Sequence, residues 1–111
     1  MIKYKTPWHI RQYVKRELMD YQKNKLLLQD INKYNSDILD TKGIILASRR
    51  IAQIETVLQR LNEEDRQAAE IIFIQHYGQV GAEVAKGLSK NAYYNAMNKV
   101  IYLTAIEMEL M

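Results

Sequence analysis

Leu58-x-x-Leu61-Asn62-Glu63-Glu64-Asp65-Arg66, an apolar run to Tyr77, Glu83-Val84-Ala85 and then Leu88-Ser89-Lys90-Asn91-Ala92-Tyr93-Tyr94 are the parts of the stretch, Leu58 to Leu103, that decides the fold. Asn62 is suited to cap a helix, because its side-chain oxygen accepts one of the backbone N–H groups that a first turn leaves unpaired. The three acids behind it lie where the helix dipole favours negative charge. Ala68, Ala69, Ile71, Ile72 and Phe73 are apolar on more than one face, so this helix is expected at the buried centre, running to Tyr77 and stopped by Gly78. Gly81 to Lys86 is a short helix at most. Ser89 caps a last helix that turns Tyr93, Met97, Val100, Ile101, Leu103 and Thr104 inward. A capped helix, a short helix, a tight turn and a helix with a polar leading edge are, in that order, the parts of a helix-turn-helix.

Upstream, Thr6-Pro7 is a good helix start, with Thr6 as acceptor and Pro7 at the first helical position. Ile10, Val14, Leu18, Tyr21, Leu28 and Ile31 recur at helical spacing, which predicts one long helix from Pro7 to about Tyr34 with Arg11, Lys15, Lys23 and Lys33 on its outer face. Asn35-Ser36-Asp37 breaks the pattern, Ser36 could cap a single turn, and Thr41-Lys42-Gly43 reads as a hinge. Ile44 to Ser48 is ambiguous. Helical spacing resumes from Arg49 with Ile51, Ile54, Leu58 and Leu61. The expectation is an all-α protein: a basic N-terminal helix and hinge over 1–43, serving phosphate contact or dimerisation, and a helix-turn-helix domain over 44–111.

Composition sets the bounds. The 111 residues are 48% hydrophobic, with one Pro and four Gly, enough for a helical core and too few breakers for disorder. The chain has no Cys, which excludes disulfides and thiolate chemistry and suits a reducing cytosol. The apolar runs Ile44–Ala47 and Ile71–Ile74 are far too short to span a bilayer, and Met1-Ile2-Lys3-Tyr4-Lys5 is not a signal peptide. A cytoplasmic protein without membrane contact is expected. Net charge is +3, unevenly spread. Residues 1–34 carry eight Lys/Arg against three acids, and residues 62–111 four against seven. Phosphate neutralisation supplies much of DNA affinity, so the basic surface lies mostly outside the helix expected to read DNA.

With Ser89 as cap, Lys90, Asn91, Tyr94, Asn95 and Asn98 share one face of the last helix. Asn pairs bidentately with adenine, Lys reaches guanine or phosphate, and Tyr contacts phosphate or a thymine methyl. An exposed helix can carry such residues merely for solvation, but three Asn fit that reading poorly, because Asn is a weak helix former. Lys86 and Lys99 complete the candidate DNA-binding set.

Leu58-x-x-Leu61-x-x-Glu64-x-Arg66, Glu83-Val84-Ala85 and Leu88-Ser89 together resemble the C-terminal promoter-binding module, region 4, of sigma-70-type factors. Ser89 to Tyr94 with Asn98-Lys99-Val100-Ile101-Tyr102-Leu103 resembles, more narrowly, phage regulators of late transcription of the ArpU and RinA type. The resemblance covers about residues 50–105, with a looser match around Tyr13, Glu17, Leu18, Tyr21 and Asn24-Lys25. It implies a helix-turn-helix, sequence-specific DNA contact and a link to packaging or lytic gene expression. Between Val84-Ala85 and the Tyr pair the chain is about two residues shorter than the family pattern, so the turn Lys86-Gly87-Leu88 is expected to be compressed and the short helix distorted.

Other constellations carry less. His9 and His76 are the only histidines and lie far apart, short of the three or four spaced ligands a metal needs. Glu63-Glu64-Asp65 are successive residues, which point in different directions on a helix, so they read as a dipole-matched start rather than paired catalytic carboxylates. His76 at a helix end reads as a C-terminal contact. No glycine pattern forms a phosphate loop. Trp8, with Tyr4, Lys3, Lys5 and Arg11 near it, could stack on single-stranded nucleic acid; packing against a neighbouring helix is the expectation. Most Tyr residues read as core or interface. The leading expectation is a homodimeric, non-enzymatic, cofactor-free regulator that binds double-stranded DNA. The alternative is a helical interaction module for RNA polymerase, packaging (terminase) machinery or a host factor, its acidic C-terminal half facing a basic partner.

Overall fold

A computed structural model describes residues 4–34 and 41–111. All the elements among these residues are helical. The expected long N-terminal helix is two: α1, Trp8–Met19, and α2, Tyr21–Tyr34. Asp20, at φ −91° and ψ 0°, separates them, although the Asp20 N–H still bonds to Arg16 and the Asn24 N–H to the Asp20 carbonyl. Val14, Leu18 and Tyr21 are buried on both sides of the break. The stripe read from the sequence is therefore continuous across Asp20, while α1 packs mainly on the last helix and α2 on the third. The start differs too. Thr6 caps nothing: Pro7 itself is the N-cap, and its ring has no acceptor to make a side-chain cap bond, while the Thr6 hydroxyl is buried with no hydrogen-bond partner among the described residues.

The third helix, α3, spans Thr41–Arg60. The hinge expected at Thr41–Gly43 is helix, and so is the ambiguous Ile44–Ser48; the Ser36 cap lies outside the described residues. Ile51, Ile54, Val57 and Leu61 turn inward at spacings of three and four. Asn62 then caps α4, Glu63–Ala69, by accepting the Asp65 N–H at 2.8 Å, as its sequence position predicts. Arg66 binds the two helices. Its guanidinium donates to the carbonyls of Leu58, Gln59 and Leu61 at 3.0–3.1 Å, supplying the partners that the end of α3 lacks.

α4 continues as one π-helical segment, Glu70–Ile74. The wider turn lets Ile72 and Phe73, adjacent in sequence, both be buried. Gly78 does not stop this helix. His76 does, in the left-handed conformation at φ 60°, and the Tyr77 N–H reaches back to the Ile71 carbonyl at 3.1 Å in the manner of a Schellman end. Gly78 is instead the extended N-cap of α5, Gln79–Lys86. α6, Lys90–Glu107, closes the fold, and Tyr93, Ala96, Met97, Val100, Ile101, Thr104 and Ala105 are its buried stripe. α6 touches α1, α3, α4 and α5, so it is the element around which the core assembles.

Candidate nucleic-acid interface

The end of α5 and the start of α6 are built by two local devices. Gly87 takes φ 68° and ends α5 with a Gly87 N–H to Glu83 carbonyl bond at 3.1 Å and a Leu88 N–H to Ala82 carbonyl bond at 3.1 Å. Only glycine takes that conformation without steric cost. Two residues later the Ser89 hydroxyl accepts the Ala92 N–H at 3.2 Å and starts α6. The connection is thus three residues, Gly87–Ser89. α5 is a regular eight-residue helix, so the compressed turn leaves it undistorted, contrary to expectation: the left-handed glycine reverses the chain without borrowing residues from the helix.

α6 lies with one face in the core and the other open. Lys90, Asn91, Tyr94 and Asn95 are exposed, and so is Lys86 at the end of α5, its ammonium 5.5 Å from the centre of the Tyr77 ring. Tyr93, beside this face, is buried. Its hydroxyl donates to the Tyr77 carbonyl at 3.1 Å, its ring meets Tyr94 edge to face at 5.2 Å, and burial, with a smaller contribution from Tyr94, raises its phenol above the ordinary value. Tyr93 therefore fixes Tyr94 and ties α6 to the segment before α5.

The two remaining candidates are engaged within the chain. The Asn98 Oδ1 accepts from the Arg11 guanidinium at 2.7 Å, which leaves its amide N–H groups and one lone pair of the oxygen. Its amide N–H groups can donate to a phosphate, while its oxygen is already committed in part to Arg11. The Lys99 ammonium pairs with Asp65 at 2.6 Å and lies 5.9 Å from the centre of the Tyr4 ring; hydrogen bonding to Asp65 holds its pKa above the usual lysine value. Lys99 is a clamp between α4 and α6. Beside it a groove of about 650 Å³ runs between the first turn of α4 and α6, lined by Tyr4, Glu64, Asp65, Asn95, Asn98 and Lys99 among others.

The link from Arg11 to Asn98 spans 87 positions and has no signal in local spacing. Through it the basic N-terminal helix lies against the polar face of α6. Tyr4 joins them, packed edge to face on Tyr102 at 5.4 Å. Trp8 does not pack against a neighbouring helix: it is 74% exposed. Among the described residues there is no cluster of three His, Cys, Asp or Glu that could hold a metal, and no helix long and apolar enough to cross a membrane. Comparison with protein-family models, curated proteins and solved structures finds no match to this chain.

Proposed function

We propose that the chain is a DNA-binding regulator of transcription of the phage late-regulator kind, with α5 and α6 as a sigma-region-4-like helix-turn-helix and α6 as the helix that enters the major groove. The carrying observation is the three-residue connection Gly87–Ser89 leading into an α6 whose first two turns expose Lys90, Asn91, Tyr94 and Asn95. Recognition helices present base-contacting residues in those turns. Asn91 and Asn95 read adenine edges, Tyr94 a thymine methyl or a phosphate, and Lys90 and Lys86 guanine or phosphate. Lys99 positions α6 from within. A site this small covers little DNA, so a homodimer on paired half-sites is part of the proposal.

The test is selection of duplexes from a random pool, followed by binding of the Lys90→Ala/Asn91→Ala variant. We expect the variant to keep its fold and lose about 1–3 kcal/mol of preference for the selected site. Unchanged binding to that site would remove α6 as the reader.

One observation favours a second reading. Val80 and Val84, one turn apart on α5, are 69% and 81% exposed. They suit a protein partner, such as polymerase or packaging machinery, better than a groove. A chain that fails to bind duplex DNA at low salt, yet binds such a partner through Val84, would have this function instead.

A further inference from the structure

Trp8 is the only Trp of the chain, and it stands in water at the first turn of α1. An indole left outside the core has a large apolar face and an N–H donor still to place. The sequence about it is basic: Lys5, Arg11, Lys15 and Arg16 all precede Glu17, the first acid of the chain. Trp8, Arg11 and Lys15 are spaced by three and four, so they share one edge of α1. Arg11 shows where that edge lies, with Nη1 on the Asn98 amide oxygen at 2.7 Å and Nη2 3.6 Å from the Met97 sulfur. The edge is continuous with the polar face of α6.

We infer that the N-terminal edge of α1 is a second contact of the chain with duplex DNA, in which Trp8, Lys5 and the Arg11–Asn98 pair hold the sugar–phosphate backbone beside the groove that α6 enters. This rests on the DNA reading of α6. A phosphodiester strand fits the chemistry: ammonium and guanidinium groups neutralise phosphates, the indole N–H and the free amide N–H of Asn98 donate to their oxygens, and the indole face covers a deoxyribose. An apolar protein helix fits it less well, since the neighbours of Trp8 on this edge are cationic. The contact supplies the phosphate neutralisation that the acidic C-terminal half lacks, and because it touches no base edge it is independent of sequence.

The sole Trp makes the contact directly observable. The full chain is titrated with a random duplex of about 20 base pairs at low salt, following Trp emission and, separately, the anisotropy of the labelled duplex. We expect emission to change with the same midpoint as anisotropy. Trp8→Ala should weaken binding roughly five- to tenfold, by the same factor on random and selected duplexes, with an unaltered helical circular-dichroism spectrum, and Trp8→Phe should recover part of the loss. A rise in anisotropy with constant emission and unchanged Trp8→Ala affinity overturns the second contact and leaves the α6 reading standing. No rise in anisotropy at all overturns both.

Discussion

Gly87 and Gly78 flank the same short helix and make opposite demands on the backbone. Gly87 sits at φ 68° and Gly78 at φ −73°, and at neither would a Cβ meet any atom within 4 Å. Gly87→Ala should therefore cost about 1–2 kcal/mol from the left-handed backbone alone, while Gly78→Ala should be close to neutral, as thermal melts of the two variants would show. Thr104 is a different kind of strain. It is fully buried with a hydroxyl that has no partner among the described residues, so Thr104→Val should raise stability by about 1 kcal/mol by removing an unpaired polar atom of the same shape. Two local caps were legible in the sequence, since Asn62 and Ser89 cap the helices they precede, whereas Thr6 caps nothing and Gly78 starts a helix rather than stopping one. Asn98 was only half legible. Its place on the outer face of α6 follows from spacing, but its hydrogen bond from a residue 87 positions away does not.

Among the elements, α2 is held to α3 by a polar triad. Glu55 accepts from Tyr21 at 2.8 Å and from Lys25 at 2.8 Å, and these bonds, Lys25's foremost, lower its carboxyl below the ordinary 4.5. A carboxylate with a depressed folded-state pKa contributes stability above its unfolded value and loses it as pH falls through the folded one. The chain should thus lose stability below about pH 4.5, and Glu55→Gln should be less stable at neutral pH with a shallower acid decline, measured as melting temperature against pH. Glu17 acts in the opposite sense, since burial raises its carboxyl. At the next joint, Arg66→Ala should loosen the α3–α4 corner by about 1–2 kcal/mol, and Arg66→Lys should recover little, because one ammonium cannot reach three carbonyls in the guanidinium's fork. Helical periodicity picked Leu58 where Val57 is the buried residue of α3, and it gave no sign of the break at Asp20 or the π turn at Glu70–Ile74. Both keep the inward residues in phase, and they answer to packing partners that spacing does not name. The end at His76 was hidden for a related reason: a glycine stood two residues later, and His only rarely takes the left-handed position.

At the scale of the molecule, the charge imbalance finds its explanation in topology. The N-terminal third carries the excess of Lys and Arg and the C-terminal half the excess of acid, which in sequence separates the basic charge from α6, the helix proposed to read DNA. The packing of α1 on α6 closes that separation. Asp65 draws Lys99 inward, so on the proposed DNA reading the charge that would meet phosphates is that of Lys86 and Lys90 on one side and of Lys5 and its neighbours on the other. The most direct test is binding of the full chain to random duplex DNA across a salt series. With about four phosphates neutralised per protomer, the logarithm of the binding constant should fall against the logarithm of salt with a slope of roughly −3 to −4. No measurable binding at low salt, or a slope near zero, would contradict the account.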